Sequence, residues 1–436
     1  MKVALIVPSN EIVSTEKLEM YQWEEMWEYK ARKKLWSTPD LGLLTIAGML
    51  PKDFTLEYID LNYVKKDKWE CDWAFFSPTT SQINQAYKLA KDLRAVGVKV
   101  AMGGVHVSVL PGEALKHADT VIIGEAEGIF NEFIDDMRAQ RTKGVYISKS
   151  SPDLSETPIP RYDLIKNYPY NSIPLQTSRG CPHQCSFCIS SKLYGKKIRR
   201  KSISQVSNEL ESILKVYKNP LIFFTDDNIF VNNKYGLELV KLIGSFDIRW
   251  YAFSDASIAY KEELLEEISK AGCMQLLIGF ESLEEESLIQ MNRSQWKRDK
   301  LQQYEYVISK IQSLGVGVVG SFVLGMDDNT HEYFQKLYNF IMKTNIYATN
   351  ITVLTPFPGT EIFDNLNNQN RIFTNDWSRY NGFELTFQPR RMSIKDFEKE
   401  YTRLNKRINS VERRIKVSEY FINIYKEKNR FSSNRP

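Results

Sequence analysis

The sequence contains few cysteines and histidines and has no long apolar run. Its 436 residues include five cysteines and four histidines. Because no stretch of about 18 apolar residues is present, we expect no membrane-spanning helix. The apolar run at residues 3–7 is too short for the core of a signal peptide and predicts a buried first strand instead. We therefore expect a cytoplasmic protein.

The cysteines also argue against a disulfide-stapled fold. They occupy positions 71, 181, 185, 188 and 273, an odd number, and three of them fall within eight residues. The disulfide framework of a small secreted protein has a different distribution of cysteines. The clustered thiols indicate a metal site in a reducing compartment.

The charge balance is nearly even overall but uneven along the chain. The net charge is +4, whereas residues 389–436 contain 14 Lys and Arg against 6 Asp and Glu, which gives this segment +8 and the rest −4. A basic tail can suit nucleic acid or acidic lipid, although a solvated helical face is its commoner meaning. We do not expect nucleic acid as a partner.

The first 147 residues alternate between apolar strand patterns and helical patterns. Strands are predicted at 3–7, 55–59, 73–76, 98–102 and 120–123, and helices at 41–50, 81–96 and 127–138. Strands that alternate with helices predict a parallel, doubly wound sheet. A polar, proline-containing stretch at 148–172 is typical of a linker between domains.

A second strand–helix series occupies residues 173–360. Strands are predicted at 173–177, 221–224, 250–253, 274–279, 316–324 and 349–354, and helices at 204–216, 261–271, 298–314 and 330–344. Six such units predict a partial (β/α)6 barrel of the TIM type, whose active site should lie at the carboxyl ends of the strands. Residues 361–436 are predicted to be mostly helical.

The most informative motif follows the first strand of the second series. Cys181, Cys185 and Cys188 have the spacing C-x3-C-x2-C. Thiolates are soft ligands that select zinc, copper(I) or iron–sulfur clusters. An ordinary 4Fe–4S cluster takes four cysteines, so three leave one iron open. The amino and carboxylate groups of S-adenosylmethionine (SAM) can chelate that iron, and an electron from the cluster can then cleave the sulfonium.

Two plainer interpretations of the triplet remain open at this point. It could be a zinc knuckle with His183 as the fourth ligand, or three unrelated thiols. His183 lies between two of the cysteines, too close for the usual zinc-finger spacing, and the sequence has no second half-site. The cluster interpretation is therefore preferred.

The triplet and its setting resemble the radical SAM superfamily. The segment RGCPHQCSFC at 179–188 resembles the branch that carries an N-terminal cobalamin-binding domain. Later segments are similar to the second, fourth, fifth and sixth strand regions of that family: FTDDNIF at 224–230, GFES at 279–282, GSFVLG at 320–325 and TPFPGT at 355–360. The resemblance covers nearly the whole chain. It implies an α/β protein with a Rossmann-like cobalamin-binding domain, a partial radical SAM barrel and a helical C-terminal region.

Residues near the strand ends of the barrel are expected to contact SAM. The candidates are Phe187, Asp226, Asp227, Ser254, Asp255, Glu281 and Gly325. Four of them have a structural alternative. The two consecutive aspartates can cap the next helix, Glu281 can form a salt bridge instead of holding the ribose, and Phe187 can be ordinary packing. Three tyrosines could line the substrate cavity or simply be packing: Tyr251, Tyr260 and Tyr380.

The strand ends of the first domain supply the candidate cobalamin contacts. They are Ser77, Thr79, Thr80, Gly103, Gly104, Val105, His106, Gly124 and Glu125. Consecutive glycines allow a flat macrocycle to approach the backbone. Neither His106 nor His117 stands in the D-x-H-x-x-G context from which many cobalamin domains ligate cobalt. If cobalamin binds, we expect no such histidine on its lower face.

The resemblance implies an enzyme with a 4Fe–4S cluster, SAM and cobalamin that methylates an unactivated carbon of a small-molecule, lipid or peptide substrate. A flavodoxin or ferredoxin would supply electrons. The alternatives are a non-methylating radical reaction and, in another class, a cluster-bearing binding or redox-sensing protein. A methylthiotransferase is disfavoured, because its N-terminal domain would need three cysteines and this one has only Cys71.

Overall fold

The computed structural model describes residues 1–9, 38–292 and 296–432. Its strands are β1 Lys2–Val7, β2 Thr55–Asp60, β3 Trp73–Phe76, β4 Lys99–Met102, β5 Thr120–Ile123, β6 Val145–Ile147, β7 Ile173–Leu175, β8 Ser178–Arg179, β9 Arg199–Arg200, β10 Leu221–Phe224, β11 Arg249–Ser254, β12 Cys273–Glu281, β13 Gly317–Leu324 and β14 Ala348–Val353. Most of these agree with the predicted strands to within one or two residues. The short strands β6, β8 and β9 were not predicted.

The helices of the described residues alternate with these strands. They are α1 Leu41–Met49, α2 Ile83–Ala95, α3 Val105–Val109, α4 Pro111–Ala114, α5 Phe130–Arg138, α6 Ser190–Leu193, α7 Ile203–Val216, α8 Asn233–Gly244, α9 Glu262–Lys270, α10 Glu285–Met291, α11 Trp296–Lys300, α12 Tyr304–Ser313, α13 His331–Thr344, α14 Glu361–Asn368, α15 Ile394–Ile408 and α16 Val411–Ser432. The helix predicted at 298–314 is divided into α11, a 3-10 turn and α12.

The first sheet is parallel throughout, with strand order β2-β1-β3-β4-β5-β6. β1 and β3 are neighbours, and the chain leaves them toward opposite edges of the sheet. In such sheets ligands bind beyond the carboxyl ends of the strands at this reversal point. Nearly every residue of β1 and β3 is buried, as expected for central strands covered on both faces.

The second sheet runs β7-β10-β11-β12-β13-β14, also parallel. β7 and β14 form its two edges, which is the open arrangement expected of a partial barrel. Helix caps mark several of its crossovers. Ser202, for example, accepts a hydrogen bond from the backbone of Gln205 at 3.2 Å and begins α7.

β8 and β9 form a separate antiparallel pair, in which Ser178 faces Arg200 and Arg179 faces Arg199. The chain between them, residues 180–198, contains the cysteine triplet and is called the cluster loop below. The β8–β9 pair is called its neck. The neck therefore holds the two ends of the cluster loop together.

The segment predicted as a linker packs against both sheets. Leu154, Tyr162 and Ile165 are buried, and the Tyr162 hydroxyl donates to the carbonyl of Pro174 at 3.0 Å. One hydrophobic core contains residues of both domains as well as Tyr162 and Ile165. Segment 148–172 is therefore built into the core, and the predicted domain limits stay a prediction.

The C-terminal region extends the barrel and reaches the first domain. α15 packs along α13, with the rings of Phe334 and Phe397 5.6 Å apart. The Trp377 indole donates to the carboxylate of Glu113 at 3.1 Å. Among the described helices, none is long and apolar enough to cross a membrane.

Candidate active site

The cluster loop is anchored by backbone hydrogen bonds from two other elements. Ser186 N donates to the carbonyl of Met291 at the end of α10 (2.8 Å), and its own carbonyl accepts from Ile362 N in α14 (3.0 Å). Cys185 forms an isolated antiparallel bridge with Asn292. These contacts hold the second and third cysteines against the barrel.

The thiols of Cys181, Cys185 and Cys188 are partly exposed. Burial raises the pKa of Cys181 to about 12 and also raises the pKa of Cys185 and of Cys188. Asp227 adds to the increase at Cys181 and Cys188. The free thiols are therefore protonated near neutral pH, and metal binding must displace their protons. A cavity of about 290 Å³ is lined by Cys185, Cys188 and residues such as Gly359.

His183 is turned toward the barrel. Its Nε2 lies 3.0 Å from Asp255 Oδ2, and its ring stacks on Trp296 with centroids 4.9 Å apart. Within the described residues, no three His, Cys, Asp or Glu side chains are grouped to hold a single metal ion. The engagement of His183 by Asp255 does not favour a mononuclear zinc site. Three soft thiol donors with no fourth cysteine suit a 4Fe–4S cluster with an open iron.

The two consecutive aspartates after β10 have different surroundings. Asp226 is fully buried, and its carboxylate accepts hydrogen bonds from Thr177 N (3.0 Å), Thr177 Oγ1 (2.8 Å) and Ser178 Oγ (2.5 Å). Burial raises its pKa. It thus secures the start of the neck, and its oxygens are occupied. Asp227 is exposed on the cysteine side and is the better placed of the two for a ligand.

Asp255 is the centre of a polar group at the end of β11. It accepts hydrogen bonds from Asn228 Nδ2 (2.6 Å) and Ser257 N (2.8 Å), in addition to its contact with His183. Although burial opposes the effect, these hydrogen bonds hold the pKa of Asp255 below its usual range. The neighbouring Ser254 is buried, with its hydroxyl 3.4 Å from the carbonyl of Asp255.

Glu281 ends β12 in an unusual backbone conformation. Its φ is +67°, a left-handed value, and the pairing of β12 with β13 shifts register at this point. Its carboxylate forms an ion pair with Lys297, and both side chains are about 10% exposed or less. Lys297 Nζ also donates to the carbonyl of Gly279 at 3.2 Å. Burial alone would lower the pKa of Lys297, but the neighbouring Glu281 and Cys185 raise it above its ordinary value.

The other two SAM candidates lie against apolar side chains. Phe187 is half-buried and packs on the hydrophobic core. Gly325 has φ +98° and its amide donates to Asn329 Oδ1 at 3.0 Å; a Cβ there would lie 3.6 Å from Leu385. All seven predicted SAM contacts therefore stay predictions, and the structure gives Asp226, Asp255 and Glu281 protein partners as well.

Ser77, Thr79 and Thr80, the hydroxyl-bearing cobalamin candidates, follow β3 at the reversal point of the first sheet. Thr79 is exposed, and its hydroxyl donates to Gln82 Oε1 at 3.0 Å. Gln82 Nε2 in turn donates to the carbonyl of Pro8 at 2.9 Å, so it joins the ends of β1 and β3. Thr80 is buried, while Ser77 is half-buried.

The glycine turn after β4 has the shape expected of a cofactor cradle. Gly104 has φ +90°, and a Cβ on it would lie 2.9 Å from Ser77 Oγ. Such a position accepts only glycine without strain. A Cβ at Gly103 would meet nothing closer than 3.6 Å, so Gly103 is required less strictly. Val105 begins α3.

His106 is fully buried, and neither ring nitrogen has a hydrogen-bond partner. Its Nε2 lies 3.6 Å from Glu113, and its ring meets that of Trp377 at 5.3 Å. Burial lowers its pKa, which favours the neutral ring. Apart from this contact with Glu113, the ring nitrogens of His106 have no polar partner among the described residues.

The last two cobalamin candidates follow β5. Gly124 has φ +84°, and its amide donates to Ser108 Oγ at 3.0 Å. Glu125 does not face open space, because Arg179 and Arg199 from the neck both bind its carboxylate. The structure thus brings the end of β5 into direct contact with the neck of the cluster loop.

Comparison with known proteins decides the family. Residues 175–341 match the radical SAM superfamily, and residues 36–134 match the B12 binding domain. The bacteriochlorophyllide d C-12(1)-methyltransferase of Chlorobaculum tepidum is 30% identical over 84% of this chain and 82% of its own. The chain belongs to the cobalamin-dependent radical SAM family. It is a radical SAM enzyme that uses a 4Fe–4S cluster, SAM and cobalamin, and its methyltransferase relatives support methylation of a carbon.

Two further matches agree. The bacteriochlorophyllide d C-8(2)-methyltransferase of the same organism is 28% identical over 80% of this chain and 80% of its own. The solved structure of the radical SAM methyltransferase TsrM from Kitasatospora setae has a TM-score of 0.65 and 14% identity, covering 84% of this chain and 76% of that one. It supports the fold. The non-methylating and redox-sensing alternatives are not favoured by these findings.

Several residues at the site carried no signal in the sequence. Lys297 is one of many lysines, and only folding shows that it is buried beside Glu281. Arg199 likewise could not be recognised from the sequence, because only the β8–β9 pairing places it beside Arg179 and Glu125. His183 was considered as a zinc ligand, whereas the structure makes it the partner of Asp255.

Proposed function

We propose that this enzyme transfers a methyl group to an unactivated carbon of a small molecule that has a flat apolar body and neutral polar groups. When bound, the cluster supplies the electron that cleaves SAM, and cobalamin carries the methyl group. Cys181, Cys185 and Cys188 would hold the cluster. Glu281 and Asp227 are the carboxylates best placed to orient SAM.

The face of the barrel sheet turned away from the helices carries the argument for the substrate class. Side chains alternate between the two faces of a strand. Phe224 and Trp250 belong to the main hydrophobic cluster, whereas Phe223 and Tyr251 lie outside it, although they are only 8% and 5% exposed. We call the second set, together with the other residues on that face, the inner face. It includes Phe223, Tyr251, Phe253, Leu277, Ser321, Asn350 and Thr352.

The inner face is divided into an aromatic part and a neutral polar part. Phe223 and Tyr251 stack at 4.5 Å with planes 6° apart, and Phe253 meets Phe223 edge-on at 5.2 Å. On the far strands, Asn350 Nδ2 donates to Ser321 Oγ at 3.4 Å. An aromatic wall opposite uncharged polar groups suits a flat, largely apolar molecule. Two relatives are named as bacteriochlorophyllide methyltransferases, and the ring of a bacteriochlorophyllide is flat and largely apolar.

The proposal is tested by binding and turnover with an uncharged chlorin dissolved in mild detergent. We expect a change in the chlorin absorption spectrum on binding, and a product heavier by one methylene after anaerobic incubation with SAM and reductant. Tyr251→Leu should weaken chlorin binding roughly two- to tenfold, the value of one aromatic contact. Tyr306→Leu, at a tyrosine that is 49% exposed and lies outside the inner face, is the control. No chlorin binding by the native enzyme would contradict the proposed substrate class.

We further propose that a flavodoxin or ferredoxin supplies the electron and that the enzyme works in the cytoplasm. The free thiols support this, since Cys71, Cys181, Cys185, Cys188 and Cys273 form no disulfide with one another and a reducing compartment preserves such thiols.

A further inference from the structure

Two arginines of the neck bind the same carboxylate of the first domain. Arg179 Nη1 donates to Glu125 Oε2 at 2.7 Å; Arg199 donates through Nη2 to Oε1 at 2.7 Å and through Nη1 to Oε2 at 3.0 Å. The side chains of Glu125, Arg179 and Arg199 are 6%, 11% and 14% exposed. Charge-assisted hydrogen bonds in such a shielded place are strong.

Both guanidinium groups make further hydrogen bonds. Arg179 donates to Gln176 Oε1 at 2.7 Å and to Glu127 Oε1 at 2.6 Å. Arg199 donates to the carbonyl of Pro152 at 2.9 Å. The positive charges of the two arginines are balanced by the negative charges of Glu125 and Glu127, so the buried network has no net charge.

The network of Glu125, Arg179 and Arg199 lies where the two ends of the cluster loop meet. Arg179 and Arg199 face each other in the β8–β9 pair and stand immediately before and after the cluster loop. Of the two glutamates, only Glu125 bridges both strands of the neck; Glu127 binds Arg179 alone. We propose that Glu125 is a positioning residue that locks the neck of the cluster loop to the first domain, and not a cobalamin contact. The proposal does not depend on which substrate is methylated.

The matched variants Glu125→Gln and Glu127→Gln test it, because each removes one charge from the same loop. Backbone hydrogen exchange of residues 180–198 is measured in the full chain, both without iron and after reconstitution. Glu125→Gln should speed exchange roughly ten- to hundredfold, as expected for losing charge-assisted hydrogen bonds. Glu127→Gln should have a smaller effect. Circular dichroism checks that both variants fold.

Two further readouts separate positioning from general destabilisation. In reconstituted Glu125→Gln the neck has one positive charge too many, so the midpoint potential of the cluster should rise; Glu125→Asp keeps the charge and should restore it. Cobalamin retention after gel filtration should be unchanged. Unchanged exchange in Glu125→Gln, equal exchange in both glutamine variants, or loss of cobalamin without a change in exchange would each overturn the proposal.

Discussion

Removing the carboxylate of Glu281 should leave the ammonium group of Lys297 buried without its partner. Both side chains are about 10% exposed or less. Breaking such a pair from one side typically costs about 3–5 kcal/mol, because the remaining charge stays desolvated. We therefore expect Glu281→Gln to lower the free energy of unfolding of the iron-free chain by about that amount. Urea denaturation followed by circular dichroism measures it.

The double variant Glu281→Gln/Lys297→Met removes both charges and should recover most of the lost stability, since replacing a buried pair is often neutral. Glu284→Gln is the matched control: Glu284 pairs with Lys336 at 3.0 Å, but the two side chains are 34% and 52% exposed. Its loss should cost about 0–1 kcal/mol. If Glu281→Gln costs no more than this control, or the double variant is no more stable than the single one, the reasoning is refuted.

The double variant also tests whether the Glu281–Lys297 pair takes part in SAM binding through Glu281. If the carboxylate holds the ribose of SAM, the refolded double variant should bind SAM roughly ten- to hundredfold more weakly than the native chain, while remaining stable. Equilibrium dialysis with the reconstituted cluster provides the comparison. Unchanged affinity would leave Glu281 with a structural role alone.

Three other predictions follow from the site. Cys181→Ala, Cys185→Ala and Cys188→Ala should each abolish the cluster absorbance and SAM cleavage, whereas Cys71→Ala and Cys273→Ala should keep both; a triplet variant with full iron would contradict the assignment. Gly104→Leu should block cobalamin loading but spare the cluster, because even a Cβ there would lie 2.9 Å from Ser77 Oγ, and equal cobalamin retention would argue against this cradle. Burial lowers the pKa of His106 from its ordinary value of 6.5. Because the unfolded chain then binds the proton more readily than the folded chain, the free energy of unfolding should fall as the pH drops below about 6.5. The urea midpoint of the native chain should therefore be lower at pH 5.5 than at pH 7.5, and this difference should be smaller in His106→Gln; an equal difference in both chains would refute the prediction.

The fold was largely predictable because its central strands are continuous apolar runs. β3 and β10 coincide with their predictions, and these strands are buried on both faces. β6 has three residues and β8 and β9 two each, too few for any periodicity to be visible. The C-terminal helices were predicted, but the hydrogen bond from Trp377 in that region to Glu113 in the first domain was not.

The site was predictable where a motif fixes the chemistry and unpredictable where partners meet only in space. The triplet spacing identifies the cluster cysteines without a structure. The same sequence cannot show that Asp226 is occupied by Thr177 and Ser178, nor that Glu125 is held by two arginines more than 50 residues away. Their positions at strand ends made Asp226 a candidate SAM contact and Glu125 a candidate cobalamin contact, without indicating these protein partners.

The most direct test of cobalamin-dependent methyl transfer is to measure the two products into which SAM is converted. The reconstituted enzyme is incubated anaerobically with SAM and reductant, with and without cobalamin, and S-adenosylhomocysteine and 5′-deoxyadenosine are measured. We predict both products in the presence of cobalamin and 5′-deoxyadenosine alone in its absence. If cobalamin-loaded enzyme forms 5′-deoxyadenosine but no S-adenosylhomocysteine, the enzyme does not transfer methyl groups through cobalamin.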